Sequence, residues 1–228
     1  MSFSTEGIFS GYALWLVPSF ASPAFDAISE ESENLVVANE DASAEEVSPH
    51  ATLIAGLGDR DITLERLIEV TEQAVRCWRK EMGRKDLVEE DTGFVDFVPE
   101  GLEVDFADVV TRGSYFQCIL IALEKSTPLL RLNQITRKLV DQNFPAPPDS
   151  PSPPEYFPHM SLLYASLSES EAQDQIDQMW KKGFITRRES DKPGILFKEV
   201  YGAHLTSVEV YDCNGPPGDW KQLHSIPL

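Results

Sequence analysis

The alternation of hydrophobic and polar positions along the chain predicts strands separated by helices. Residues 11–18 are mostly apolar and end in a proline, which is typical of a buried strand. Similar apolar runs predict further strands at residues 50–55, 114–123, 159–165, 195–200 and 203–211. Among these, residues 114–123 have the clearest strand pattern.

Three segments have the spacing or end signals of helices. The pattern predicts an amphipathic helix over residues 63–81. Its inward-facing positions are Leu64, Leu67, Ile68, Thr71, Ala74, Val75 and Trp78. Thr127 and Pro128 form an N-cap and N1 pair, which predicts a helix that ends at Leu139 or Val140. Ser168 and Glu171 form a capping box for a third helix. Its buried side would hold Ala172, Ile176, Met179 and Trp180.

Two stretches show no regular pattern. Residues 19–49 hold eight acidic residues and no basic one, and we expect residues 40–46 to form a solvated loop or a frayed helix. Residues 144–158 contain seven prolines, which favours irregular structure of the kind found in linkers. The chain after residue 211 is predicted to be a Gly/Pro-rich tail.

The order of the predicted elements repeats once. A strand, a long connection, a histidine-containing strand and a helix are followed by a second set in the same order. This weak duplication indicates an α+β fold with a largely antiparallel sheet, since the connections do not alternate as regular βαβ units.

The composition narrows the possible partners. The 228-residue chain has a formal net charge of −19, so its surface repels long nucleic acids, whereas a small nucleotide can still bind to local donors in a cleft. The three cysteines are far apart and show neither a disulfide framework nor a zinc spacing.

The N-terminal region shows no basic segment followed by a sustained apolar one. Its apolar run from Tyr12 to Phe20 is interrupted by Pro18 and is too short to span a bilayer. We therefore expect a soluble, intracellular protein, most simply cytoplasmic, with no membrane partner.

Two of the four histidines stand in the same short motif. Residues 49–53 read Pro-His-Ala-Thr-Leu, and residues 158–162 read Pro-His-Met-Ser-Leu. A single His-x-Thr occurs by chance in many proteins. Two copies that share the flanking proline and leucine, each at the start of a predicted strand, indicate a shared function.

The spacing within each motif has a structural meaning. Side chains two residues apart in a strand point to the same face, so His50 projects with Thr52, and His159 projects with Ser161. If the two strands lie side by side, two imidazoles and two hydroxyls surround one small volume. The hydroxyls can donate to phosphate oxygens, and imidazoles with a pKa near 6.5 can exchange protons.

This set of groups suits the hydrolysis of a strained cyclic phosphodiester. A neutral imidazole takes a proton from the attacking water, and a protonated imidazole gives one to the departing ribose oxygen. The hydroxyls stabilise the charge on phosphorus. The scheme requires no metal and no other cofactor.

At these residues the chain resembles the 2H phosphoesterase superfamily, which is defined by paired His-x-[Thr/Ser] motifs, and within it the plant and fungal cyclic phosphodiesterases. Tyr12–Pro18 is similar to the first strand of that branch, and His159–Tyr164 to its second motif. The resemblance implies one domain over residues 1–228 with two lobes, each contributing one motif. It implies a bilobal α+β, LigT-like fold with two antiparallel sheets, flanking helices and pseudo-twofold symmetry.

The resemblance also implies an activity. The enzyme would be a 2′,3′-cyclic-nucleotide 3′-phosphodiesterase that converts ADP-ribose 1″,2″-cyclic phosphate, a by-product of tRNA splicing, to ADP-ribose 1″-phosphate. It would also open nucleoside 2′,3′-cyclic phosphates to 2′-phosphates. We expect a monomer, and the fungal relatives suggest a Golgi association.

By the same resemblance each site residue receives a role. His50 and His159 are the acid/base pair, Thr52 and Ser161 hold the phosphate, and Trp15 and Tyr164 line the cleft near the substrate. A tryptophan in an apolar strand is also a common core residue, so packing and ligand contact both remain open for Trp15, and likewise for Tyr164.

The two remaining histidines are assigned no catalytic role. His204 begins a third His-x-Thr, but it lacks the flanking proline and leucine and lies outside the duplication. His224 falls in the predicted tail and is expected to be exposed.

Two other functions are compatible with the sequence. One is a 2H phosphodiesterase or ligase-like protein that processes RNA ends, which the charge of −19 disfavours. The other is a non-catalytic nucleotide-binding domain, which the two intact motifs disfavour.

Overall fold

Nine strands form two antiparallel sheets in the computed structural model, which describes residues 10–83, 101–189 and 192–228. The described strands are β1 (Tyr12–Pro18), β2 (Ala51–Ile54), β3 (Leu102–Val110), β4 (Ile119–Leu123), β5 (His159–Leu163), β6 (Ile185–Arg187), β7 (Ile195–Phe197), β8 (Gly202–Asp212) and β9 (Lys221–Pro227). Strands β6 and β7 pair as a small separate sheet.

The large sheet has seven strands in the order β1-β2-β5-β4-β3-β8-β9. Strand β8 also pairs with β1, so the six strands from β1 to β8 in this order form a closed ring of pairings. Strand β9 lies outside the ring and pairs with β8. One contact in this ring is short, because β2 and β5 are joined by the single residue pair Ala51 and Met160.

Four described helices cover the sheets: α1 (Pro23–Ala38), α2 (Leu64–Glu81), α3 (Thr127–Asn143) and α4 (Glu169–Lys182). Helix α2 begins after an N-cap at Thr63, and α4 begins with the capping box of Ser168 and Glu171, as predicted. None of the described helices has the length and apolar character needed to cross a membrane.

These observations confirm the α+β class and the antiparallel sheets, which are unequal in size. The strand patterns at 11–18, 50–55, 159–165, 195–200 and 203–211 each correspond to a strand within a few residues. Between Asn143 and His159 the proline-rich stretch forms neither helix nor strand, as expected.

Several element predictions were wrong. Residues 114–123 are not one strand, because Tyr115–Gln117 form a 3₁₀ turn before β4 begins. Helix α3 has Ser126 rather than Thr127 at its N-cap position, without a side-chain hydrogen bond, and runs to Asn143, beyond the predicted end.

Two segments for which the sequence predicts no regular element contain one. The acidic stretch contains helix α1, whose N-cap Ser22 accepts a hydrogen bond from the backbone of Phe25. Residues 40–46 hold a 3₁₀ turn and an isolated bridge between Glu45 and Tyr164, which agrees with a loop. The C-terminal tail contains β9, which pairs with β8, so His224 lies in a strand and is half-buried.

Helix α3 supports the strand that carries the first motif. The buried Asn133 side chain donates from Nδ2 to the carbonyl oxygen of Leu53 in β2, at 2.7 Å. Since a buried carbonyl without a donor is costly, this bond helps to hold β2 in place.

We expect Asn133→Ala to lower the free energy of unfolding by about 1–3 kcal/mol, because it leaves the Leu53 carbonyl without its side-chain donor. Urea unfolding measures this change. Gln134→Ala, at the exposed neighbouring position, is the matched control and should stay within about 0.5 kcal/mol of wild type. Equal stabilities of the two variants would show that the bond does not support β2.

Candidate active site

The two motifs meet where β2 and β5 pair. Ala51 and Met160 are cross-strand partners, and both side chains are fully buried in the hydrophobic core. The leucines that end the motifs, Leu53 and Leu162, are buried on the same side. The predicted inward face of both motif strands is therefore confirmed.

The residues that flank this pair project to the opposite face. In an antiparallel register fixed by Ala51 and Met160, His50 lies opposite Ser161, and Thr52 lies opposite His159. Side chains opposite each other in such a pair have Cβ atoms about 4.5–5.5 Å apart. The pairing thus relates the motifs by a local twofold and gathers two imidazoles and two hydroxyls.

Each imidazole is fixed by the same hydrogen bond. His50 Nδ1 lies 2.7 Å from the carbonyl oxygen of Ser48, and His159 Nδ1 lies 2.8 Å from that of Phe157. A carbonyl oxygen only accepts hydrogen bonds, so Nδ1 carries the proton in both rings. Nε2 is the atom left to give or take a proton.

The proline before each histidine contributes to this arrangement. It fixes its own φ angle and keeps the preceding residue extended. The carbonyl two residues before the histidine is therefore held in a defined place relative to the ring. The proline shared by the two motifs therefore helps to set the imidazole tautomer.

Burial keeps both imidazoles uncharged in the free protein at neutral pH. Burial lowers the pKa of His50 to about 4, against the opposing effect of the Ser48 carbonyl, and His159 adds a smaller lowering. The pKa of His159 is also lowered by burial, with a contribution from the nearby Arg112 guanidinium.

The two hydroxyls differ in their surroundings. Thr52 is half-buried and lines a small cavity with His50. Ser161 is buried, and its Oγ donates to the carbonyl oxygen of Phe116 at 3.5 Å. The Ser161 bond is long for an O–H donor, so its hydroxyl can turn to a bound phosphate oxygen at small cost.

Trp15 lies in the site as a support for His50. Its ring stacks on the His50 ring at 3.7 Å between centroids and 12° between planes. Tyr211 stacks on its other face, also at 3.7 Å. Since both faces are covered and only 6% of the residue is exposed, Trp15 presents its edge to the cleft in this structure.

A cleft of about 220 Å³ opens beside His50. Its lining includes Trp15, Glu46, Tyr164, Tyr211 and Trp220. Tyr164 is only 3% exposed, and burial raises the pKa of its hydroxyl, an effect that the Ser161 hydroxyl partly offsets.

The sequence reasoning missed Tyr211 and Trp220. Tyr211 alternates with buried Val208 and Val210 of β8, a signal that places it on the outer face, but only the pairing of β8 with β1 brings it to Trp15. Trp220 stood in the predicted tail.

The other two histidines lie in different settings. His204 Nδ1 is 2.7 Å from Glu103 Oε1, across the pairing of β8 with β3, and His224 is opposite Val210. Within the described part of the chain, no three His, Cys, Asp or Glu side chains are grouped closely enough to hold a metal ion.

The sequence profile of the cyclic phosphodiesterase-like protein family matches residues 10–228. The chain belongs to this family. The family is one of phosphoesterases and supports the predicted 2H phosphoesterase superfamily. A search of curated proteins gives no match.

Solved structures share the fold. E. coli LigT complexed with 3′-AMP is 14% identical and has a TM-score of 0.51, over 96% of this chain and 98% of that one. LigT complexed with NADP+ has a TM-score of 0.49 at 13% identity, over 96% and 98% of the two chains. The first likeness confirms the LigT-like α+β fold of this family member.

The depressed pKa of His50 makes folding stability depend on pH. In the unfolded chain the ring binds a proton below about pH 6.5, whereas in the folded protein it does so only near pH 4. The unfolded state binds more protons in that window. The contribution of His50 to stability is therefore complete above pH 6.5 and is lost as the pH falls towards 4.

We expect His50→Asn, which keeps a donor near the Nδ1 position, to remove this dependence. The difference in unfolding free energy between wild type and variant should change by up to about 3 kcal/mol between pH 7 and pH 4. Urea unfolding across this range measures it. His224→Asn, which removes a histidine outside the site, is the control, and parallel curves for wild type and His50→Asn would contradict the burial of an uncharged His50.

Proposed function

We propose that this family member hydrolyses cyclic phosphodiesters on small nucleotides with His50 and His159 as the acid/base pair. One observation carries the proposal: the antiparallel pairing at Ala51 and Met160, which sets each imidazole opposite the hydroxyl of the other motif. This register supports a site in which four groups that can hold and protonate a phosphodiester act on one phosphate.

In the proposed reaction water attacks the phosphorus of the cyclic phosphate. Nε2 of one neutral histidine takes the proton of the water as the new P–O bond forms. The bond from phosphorus to one ribose oxygen breaks, and Nε2 of the other, protonated histidine gives that oxygen its proton. The product is a phosphomonoester on the second ribose oxygen.

Thr52 and Ser161 hold the non-bridging phosphate oxygens in this proposal. Their hydroxyls donate hydrogen bonds, which strengthen as negative charge develops on the pentacoordinate phosphorus. Trp15 fixes the His50 ring by stacking, and Tyr164 closes the cleft beside Ser161. All these groups belong to the chain itself, so no cofactor takes part in the scheme.

The proposed substrates are small. We expect ADP-ribose 1″,2″-cyclic phosphate to give ADP-ribose 1″-phosphate, and nucleoside 2′,3′-cyclic phosphates to give 2′-phosphates. Membership of the cyclic phosphodiesterase-like family supports the cyclic phosphodiester linkage. The net charge of −19 and a cleft of only about 220 Å³ favour a small nucleotide over an RNA chain.

We expect His50→Ala and His159→Ala each to lower kcat/KM for these substrates by about 10²- to 10⁴-fold, because each removes one proton transfer. Product release from nucleoside 2′,3′-cyclic phosphates and from ADP-ribose 1″,2″-cyclic phosphate is followed by chromatography in excess chelator. An RNA with a 2′,3′-cyclic phosphate end is assayed in parallel.

His204→Ala is the matched control, since His204 belongs to a His-x-Thr outside the site and bonds to Glu103. Its activity should stay near that of wild type. Near-normal turnover in either of the other two variants would remove that histidine from the mechanism. Faster hydrolysis of the RNA end than of the small substrates would favour RNA-end processing instead.

The dependence of rate on pH should differ between the free enzyme and the complex. Burial lowers the pKa of both histidines below 6.5 in the free enzyme, so kcat/KM should be bell-shaped with its maximum on the acid side of pH 6.5. A bound anion raises the pKa of a neighbouring imidazole, so the kcat profile should lie at higher pH. Initial rates over pH 4–9 measure both profiles, and superimposable profiles would contradict paired buried imidazoles.

A further inference from the structure

One arginine stands at the His159 end of the site. Arg112 follows β3, and its backbone N–H donates to the carbonyl of Gln117 at 3.0 Å, which closes the loop that contains the 3₁₀ turn. Its guanidinium carbon lies 4.6 Å from the centre of the Phe157 ring. Phe157 in turn stacks on His159 at 5.5 Å.

These contacts place a positive charge close to the reacting groups. The two ring distances put the guanidinium carbon no more than about 10 Å from the centre of the His159 imidazole. The same segment supplies the Phe116 carbonyl that accepts the Ser161 hydroxyl. Arg112 is thus fixed on the rim beside His159 and Ser161.

The guanidinium forms no ion pair with a carboxylate of the described residues. This differs from the arginines that do pair with Asp or Glu, which are Arg60, Arg66, Arg76, Arg131, Arg187 and Arg188. Among the nine described arginines, these six have a carboxylate partner. An exposed arginine that lacks such a partner among residues 10–83, 101–189 and 192–228, beside a candidate phosphate site, can bind an anionic ligand.

The surroundings of His50 have a different character. Around His50 the lining is aromatic, with Tyr211 and Trp220, and it includes the carboxylate of Glu46. Aromatic rings suit contact with a sugar or a base, and the Glu46 carboxylate disfavours a second phosphate at this end. The two ends of the site therefore favour different parts of a nucleotide.

We propose that Arg112 binds a second phosphate of the substrate, separate from the cyclic phosphate that is hydrolysed. This inference rests on the proposed function. It implies a preference for substrates that carry a further phosphoryl group on the ribose, such as the diphosphate of an ADP-ribose cyclic phosphate. The planar guanidinium can donate two parallel hydrogen bonds to one phosphate, a geometry that lysine does not match.

The test compares two substrates that differ only in the second phosphate: a nucleoside 2′,3′-cyclic phosphate, and the same compound with a 5′-phosphate. We expect wild type to favour the 5′-phosphorylated substrate. Arg112→Gln should lower the ratio of the two kcat/KM values by about 10- to 100-fold. Arg112→Lys, which keeps the charge but not the planar fork, should give a smaller loss.

The ratio separates binding of a second phosphate from an effect through His159. Removal of Arg112 also changes the charge beside His159, but that change affects both substrates alike and cancels in the ratio. Arg76→Gln alters the net charge equally at an exposed site on α2 and should leave the ratio unchanged.

The possible failures are distinguishable. An equal loss on both substrates, or no loss on either, in Arg112→Gln would overturn the inference and leave the proposed hydrolysis intact. If wild type hydrolyses neither substrate nor ADP-ribose 1″,2″-cyclic phosphate, the proposed function itself is wrong.

Discussion

The site depends on one contact between two short strands, the pairing of Ala51 with Met160. A slip of one residue in a strand turns every side chain to the other face, so it would bury the histidine and hydroxyl of that motif in the core. A single residue pair cannot hold this register alone. The register is also held by the neighbouring strands, since β2 pairs with β1 and β5 pairs with β4. The buried side chains of Leu53 and Leu162 add to it.

The same construction sets the electrostatics of the site. Because the pairing lies in the middle of a sheet, the imidazoles that flank it are largely shielded from water, and burial lowers the pKa of both. A buried pair of uncharged histidines is well suited to accept a proton from water but lacks the proton that the leaving oxygen needs. An anionic substrate supplies the condition for this proton, because its negative charge favours protonation of the imidazole beside it. Binding and acid catalysis are therefore coupled in the proposed mechanism.

The local patterns of the sequence predicted most of the elements and the faces of the motif strands. They could not reveal contacts that form only between distant segments. Helix α1 was missed because its acidic residues obscure the apolar stripe that includes Ile28 and Leu35, and β9 because a Gly/Pro-rich stretch precedes it. The 3₁₀ turn before β4 is as apolar as the strand that follows it, so composition does not distinguish the two. This turn brings the Phe116 carbonyl to Ser161. Trp15 stacks between His50 and Tyr211, which belong to different segments of the chain. The sequence alone therefore could not reveal this contact.

The third His-x-Thr shows which part of the motif carries the chemistry. His204 and Thr206 are spaced like the other two pairs and also lie in a strand, so spacing and secondary structure do not distinguish them. What distinguishes His204 from His50 and His159 is the group that binds Nδ1. In His50 and His159 it is the carbonyl two residues earlier, held by the intervening proline, whereas in His204 it is the carboxylate of Glu103 on a neighbouring strand. A backbone carbonyl at this position accepts from Nδ1–H, so it fixes the tautomer of the ring and leaves Nε2 free. The proline is thus as informative as the histidine, because it holds the carbonyl that fixes the tautomer and leaves Nε2 free, while burial keeps the ring uncharged.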